Sequence, residues 1–184
     1  MNYNKLPLLL SLTYLYGADN IIYLTGNILI TIEELMKIVI GCDHAGVALK
    51  NEITPVLKEL AIDWEDVGTK TEDSVDYPDF GEKVAEQVSD GKMERGILIC
   101  GTGIGMSIVA NKFPGVRAAL CSEAFSATMS RLHNDANVLV LPGRIISGGT
   151  AAEIVKAWFT TPFEGGRHQK RLDKIKAIEE RLYK

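Results

Sequence analysis

The sequence lacks the features that define several large classes of protein. Its three cysteines, Cys42, Cys100 and Cys121, are far apart and form no C-x-x-C pair, which argues against zinc and dithiol redox sites and predicts free thiols in a reducing compartment. A formal net charge of -4 gives no general attraction to nucleic acid or to anionic membranes. With 184 residues, 46% of them apolar, the chain is expected to form one ordinary folded domain.

The glycine-rich segment after Cys100 lacks the signatures of nucleotide-binding loops. Met106 stands where a dinucleotide fingerprint needs its last glycine, and the Lys-Ser or Lys-Thr pair of a P-loop is missing. Residues 100–107 also contain no arginine, which a cysteine phosphatase would need to bind the transferred group. These absences disfavour NAD, ATP and covalent phosphoryl transfer.

The first 35 residues differ from the rest of the chain. Residues 6–18 resemble the apolar stretch of a signal peptide, but they are too short to span a bilayer and are interrupted by Pro7, Ser11 and Gly17. Met36 is followed at once by an apolar run at 37–41 that is typical of a buried strand. We therefore predict an N-terminal extension at 1–35, produced by a start assigned too early, and a functional domain at 36–184.

From Met36 onwards, short apolar runs alternate with amphipathic stretches, which predicts parallel strands joined by helices. Strands are predicted at 37–41, 62–67, 96–100, 117–120 and 138–141. Helices are predicted at 47–60, 79–90, 104–112, 122–132, 147–159 and 166–184. The expected fold is a three-layer, Rossmann-like α/β domain: a doubly wound sheet of five parallel strands, helices on both faces and a C-terminal helix. Ligands of such sheets bind beyond the carboxyl ends of the strands.

Cys100 stands at such a strand end and is followed by a glycine-rich turn into a helix. Its thiol is predicted to lie near the positive end of that helix, which favours the thiolate. Gly101, Gly103 and Gly105 would let backbone amides approach a phosphate or an enediolate oxygen. A cysteine that only fills the core, beside glycines that only allow tight packing, is the structural alternative.

Three further polar residues are ambiguous on their own. Asp43 and His44 follow the first strand, where they could bind sugar hydroxyls or move a proton, although Asp43 could simply cap the next helix. His133 precedes the last strand and could act as an acid or satisfy a helix end.

The C-terminal helix carries two arginines in an unusual position. Its apolar arc consists of Leu172, Ile175, Ile178 and Leu182. Arg171 falls inside this arc and Arg167 lies at its edge, so both are predicted to face protein rather than water. Two guanidinium groups one turn apart suit bidentate capture of a phosphate, with interface salt bridges as the alternative.

Five motifs, taken together and in order, resemble those of type B ribose-5-phosphate isomerases. They are GCDHAG at 41–46, DYP at 76–78, CGTGIG at 100–105, HNDAN at 133–137 and GRHQKR at 166–171. The resemblance covers 36–184 without evident gaps. The wider family includes isomerases of allose 6-phosphate and galactose 6-phosphate, and the latter split these motifs between two different subunits. This chain carries them all, which favours a homomeric enzyme.

The resemblance implies an aldose–ketose isomerase that interconverts ribose 5-phosphate and ribulose 5-phosphate through a cis-enediol, in the non-oxidative branch of the pentose phosphate pathway. It implies a cytoplasmic homodimer with shared active sites and leaves open whether dimers pair into tetramers. It implies no cofactor, no metal, and no nucleic acid or membrane partner. The alternatives are a six-carbon sugar phosphate as substrate and a non-catalytic sugar-phosphate-binding module on the same fold.

The resemblance also implies roles for individual residues. Cys100 matches the base that removes the C2 proton, and His133 matches the group that assists opening of the furanose ring. Asp43 and His44 match groups that bind or relay protons at the ring and carbonyl oxygens. The remaining matches are the enediolate loop with Gly101, Gly103 and Gly105, contacts to the intermediate from Thr102 and Asn134, a sugar contact from Tyr77, and phosphate contacts from Arg144, Arg167 and Arg171.

Overall fold

The structure, a computed structural model, describes residues 21–24, 28–31 and 36–183. The chain divides into two units, Met1–Leu35 and Met36–Lys184. In the first unit, β1 (Ile21–Leu24) and β2 (Ile28–Thr31) pair in antiparallel fashion. The signal-like run at 6–18 lies outside the described residues, and the early start assigned to segment 1–35 stays a prediction.

The second unit contains the predicted parallel sheet. Its strands are β3 (Lys37–Cys42), β4 (Asp63–Asp66), β5 (Arg95–Cys100), β6 (Ala118–Leu120) and β7 (Val138–Pro142). They lie in the order β4-β3-β5-β7-β6, and every neighbouring pair is parallel. The three central strands are almost wholly buried because helices cover both faces, which is why they appear in the sequence as continuous apolar runs.

Helices form the two outer layers. They are α1 (Val47–Glu59), α2 (Tyr77–Ser89), α3 (Ile104–Ala110), α4 (Ala124–Asn134), α5 (Gly148–Thr160) and α6 (Arg167–Leu182). On one face of the sheet α1 and α5 bury side chains such as Ile53 and Trp158, and on the other α2 and α3 bury Val84 and Met106. The three-layer fold and its C-terminal helix are therefore confirmed. Helix α2 begins earlier than expected, at Tyr77, because Pro78 is well suited to a first helical turn.

The order of the strands creates a crevice between β3 and β5. From β3 the chain crosses to β4 on one side and then returns to β5 on the other, so the connections diverge at this point. Such a switch point opens at the carboxyl ends of the strands. The backbone N–H of Asp43 donates to the carbonyl of Ile99 at 3.2 Å and holds the two strand ends together. Asp43 and Cys100 therefore belong to one crevice.

Helix α6 lies at the edge of the domain, and its apolar arc is largely exposed. The exposed fractions of Ile175, Ile178 and Leu182 are 42%, 46% and 69%. Arg167 and Arg171 are exposed as well, so the prediction that both face protein is wrong for the single chain. Periodicity identified the arc correctly but could not say what covers it. No helix in the described ranges is long and apolar enough to cross a membrane.

Candidate active site

A cavity of about 220 Å³ lies in the crevice at the carboxyl ends of β3 and β5. Most of the predicted site residues line it. They are Asp43, His44, Tyr77, Cys100, Gly101, Thr102, Gly105 and Arg144. A larger cavity of about 500 Å³ lies between α6 and the loop before β6, and its lining contains none of them. The smaller cavity is therefore the candidate active site.

Cys100 is the last residue of β5 and is 4% exposed. The backbone N–H of Gly103 donates to its Sγ at 3.2 Å. Gly103 has a φ of +75°, and a side chain there would collide with Leu120, so only glycine allows this turn. An N–H directed at the sulfur stabilises the anion that a base requires. A thiol that only filled the core would need neither this donor nor a place in the cavity wall.

The rest of the glycine loop is held close to two cavity residues. The carbonyls of Cys100 and Gly101 accept from the N–H groups of Gly143 and Arg144, at 2.8 and 3.0 Å. This pair of bonds brings Arg144 to the wall of the cavity. A methyl group at Gly105 would lie 2.6 Å from Cζ of Tyr77, so glycine there lets the tyrosine ring lie against the loop.

The polar residues that follow β3 have defined partners. Asp43 is buried, and its Oδ1 accepts from the N–H of Ala45 at 2.9 Å, so the predicted capping role is observed beside its place in the cavity. The Nδ1 of His44 accepts from the N–H of Val75 at 3.3 Å. Its neutral ring therefore carries the proton on Nε2, where it can donate to a substrate oxygen.

Thr102 has a local backbone contact and an open side. Its Oγ1 accepts from the N–H of Ile104 at 3.4 Å at the start of α3. The residue is exposed and borders the cavity. The hydroxyl can therefore help to hold the turn and still donate its own proton to a ligand.

The other predicted site residues form a second group. In the described chain His133, Asn134, Arg167 and Arg171 do not line the cavity at Cys100. His133 and Asn134 end α4, the arginines begin α6, and the backbone N–H of Glu164 donates to the carbonyl of Leu132 at 3.0 Å between the two helices. A single chain thus presents the predicted base, Cys100, and the predicted phosphate contacts Arg167 and Arg171 in two separate places.

Glu164 and His168 contact this second group, and neither was given a role from the sequence. The Oε2 of Glu164 lies 3.7 Å from Nε2 of His133 and 3.5 Å from Nε2 of His168. His168 is 1% exposed, and burial, followed by the charge on His133, lowers its pKa. The signal in the sequence was a Glu–His pair four residues apart, ending inside the GRHQKR motif.

Comparison with known proteins finds a family model and relatives that agree with one another. The family model described as Ribose/Galactose Isomerase matches residues 38–175. Ribose-5-phosphate isomerase B from Escherichia coli (strain K12) is 49% identical over 147 residues, which are 80% of this chain and 99% of the relative.

Two solved structures extend the comparison to the fold. Ribose-5-phosphate isomerase B from Clostridium thermocellum is 53% identical, with a TM-score of 0.77, and the match covers 79% of this chain and 99% of the other. The enzyme from Mycoplasma genitalium with bound ribulose-5-phosphate is 41% identical, with a TM-score of 0.75, and the match covers 78% and 96% of the two chains.

Proposed function

Because the chain belongs to the ribose/galactose isomerase family, we propose that it interconverts ribose 5-phosphate and ribulose 5-phosphate, with Cys100 as the base. The observation that carries this proposal is the Sγ of Cys100, which lines the cavity at the switch point and accepts the N–H of Gly103. The bound ribulose-5-phosphate named for the Mycoplasma genitalium relative supports the choice of sugar.

The proposed proton transfer needs one base and a set of oxyanion donors. The thiolate of Cys100 takes the proton from C2 of the open-chain aldose, the C–H electrons form the C1=C2 bond, and O1 takes up the negative charge. Backbone N–H groups of the 101–105 loop and the Nε2–H of His44 are the donors that stabilise this enediolate. Returning the proton to C1, with protonation of O1 and loss of the proton on O2, gives the ketose.

We also propose a homodimer with shared active sites, because Cys100 and the second group of predicted site residues lie apart in a single chain. A second copy would bring its own His133, Arg167 and Arg171 to the cavity that contains Cys100. The exposed arc on α6 and the exposed Ile104 and Ile108 on α3, at 55% and 56%, are apolar surface that such a partner would cover. The enzyme would act in the cytoplasm, where phosphorylated sugars are kept.

An assay without added metal tests the proposed substrate directly. We expect kcat/KM for ribose 5-phosphate to exceed that for allose 6-phosphate by at least about tenfold, the usual cost of adding or removing one carbon unit in a shaped pocket. Faster turnover of allose 6-phosphate would favour the six-carbon alternative. Binding of both sugars with turnover of neither would favour a non-catalytic module.

The phosphate role of Arg171 can be tested by inhibition. Inorganic phosphate should compete with the substrate, and Arg171→Ala should raise its inhibition constant by about tenfold, because a charge-assisted hydrogen bond contributes about 1.5 kcal/mol or more. Arg181→Ala is the matched control, since it removes an exposed arginine from the far end of the same helix. Equal inhibition of both variants and the wild type would show that Arg171 is only structural.

A further inference from the structure

The ring of His168 contacts residues of the second group through its face and through both of its nitrogens. Its face stacks on the ring of His133, with centroids 4.1 Å apart and planes within 3° of parallel. At its edges the Nε of Arg167 donates to Nε2 at 3.1 Å, and the Nη1 of Arg171 lies 3.5 Å from Nδ1. The ring thus touches the predicted ring-opening histidine and both predicted phosphate-binding arginines.

The same cluster has the composition of a metal site but the wrong geometry. His133, Glu164 and His168 offer ligand atoms that all lie within 4.8 Å of one another. A metal ion binds a histidine nitrogen in the plane of its ring, and two parallel stacked rings cannot both direct an in-plane lone pair at one ion. The lone pair on Nε2 of His168 is also occupied by Arg167. The arrangement therefore positions side chains and is not suited to bind a cation.

We propose that His168 is a positioning residue that assembles the ring-opening group and the phosphate clamp into one unit. Its face fixes the plane of His133, and its Nε2 fixes the guanidinium of Arg167. The roles of those partners rest on the function proposed above. The step added here is that one buried ring couples them, so that phosphate binding and ring opening depend on the same side chain.

The charge state of His168 agrees with this role. A guanidinium group has only donors, so Arg167 needs an acceptor, which a protonated histidine cannot offer. Burial and the neighbouring charges of His133, Arg167 and Arg171 lower the pKa of His168, while Glu164 opposes them. The ring is therefore neutral at pH 7. We assign its proton to Nδ1, because the shorter contact makes Nε2 the acceptor.

The neutral ring leaves Arg171 free for substrate. With the proton on Nδ1, the 3.5 Å approach of Nη1 is a contact between two donors and not a hydrogen bond. His168 therefore accepts no hydrogen bond from Arg171, whose N–H groups can bond to a phosphate instead. Among the residues that the structure describes, Arg167 is held through Nε alone, so its two terminal nitrogens are likewise left for the ligand.

Two substitutions test separately the stacking of His168 on His133 and the hydrogen bond that its Nε2 accepts from Arg167. His168→Phe keeps a flat ring under His133 but removes the acceptor for Arg167, so we expect KM and the inhibition constant of inorganic phosphate to rise about tenfold, with kcat within about threefold of wild type. His168→Gln offers an acceptor oxygen but no ring, so kcat should fall about tenfold with little change in phosphate inhibition.

The proposal requires that His168→Phe mainly weakens phosphate binding and that His168→Gln mainly lowers kcat. If both variants showed the same fall in kcat and the same rise in KM, His168 would only stabilise the fold. If both variants had wild-type kinetics, His168 would position neither partner. Gln169→Ala, at an exposed neighbour on the same helix, controls for damage to α6. A wild-type protein that does not turn over ribose 5-phosphate would contradict the proposed function instead. Calorimetric titration of wild type and His168→Phe with inorganic phosphate, which needs no turnover, would still test the edge of the ring.

Discussion

Replacing Cys100 with alanine is expected to lower the turnover of ribose 5-phosphate by at least about a hundredfold, the usual contribution of a positioned proton-transfer group. The thiol is the cavity group that the loop amide of Gly103 supports, at 3.2 Å from Sγ. Alanine removes the proposed base without adding volume, so the cavity should still bind the sugar. We therefore expect kcat to fall much more than the affinity for inorganic phosphate.

The matched control for this substitution is Cys121→Ala. Cys121 is also a buried free cysteine, but it packs in the core on the α1 and α5 face of the sheet and is not part of the cavity lining. Its loss should reduce thermal stability while leaving kcat near the wild-type value. Full activity in Cys100→Ala would mean that another group is the base, and equal losses in the two variants would indicate general damage to the fold.

Replacing His133 with alanine should be similarly severe, with a loss of about a hundredfold when the substrate is supplied mainly as the closed furanose. His133 is stacked on His168 and lies 3.7 Å from the carboxylate of Glu164, so its ring is held in a defined orientation. If the site is shared, this loss arises in the cavity of the other subunit. The activity of His133→Ala, measured by formation of ribulose 5-phosphate, is the check on this expectation.

The fold could be predicted because its signals are local. Strands β3, β5 and β7 are buried on both faces, and this gives the continuous apolar runs by which they were recognised. The doubly wound order then follows from the alternation of strand and helix, and the switch-point rule brings Asp43 and Cys100 to one crevice. The glycine loop was predicted for the same reason, since its residues are neighbours in sequence.

The arrangement of the second group could not be predicted in the same way. The burial of His168 depends on the packing of α6 beside α4, and no periodicity in either helix reports that contact. Glu164 lies in the connection before α6, outside the predicted helix, so its four-residue spacing from His168 did not by itself predict a contact. The arc on α6 was identified from its spacing, but amphipathicity does not reveal whether the covering surface belongs to the same chain.

The most direct test of the shared site is a mixed dimer of Cys100→Ala and His133→Ala subunits, co-expressed with different tags and purified through both. Each variant alone should be nearly inactive. If every site takes Cys100 from one subunit and His133 from the other, the mixed dimer regains one intact site of two and should show about half of the wild-type activity on ribose 5-phosphate. If both residues of a site come from one chain, the mixed dimer contains no intact site, and activity no higher than that of the single variants would contradict the account.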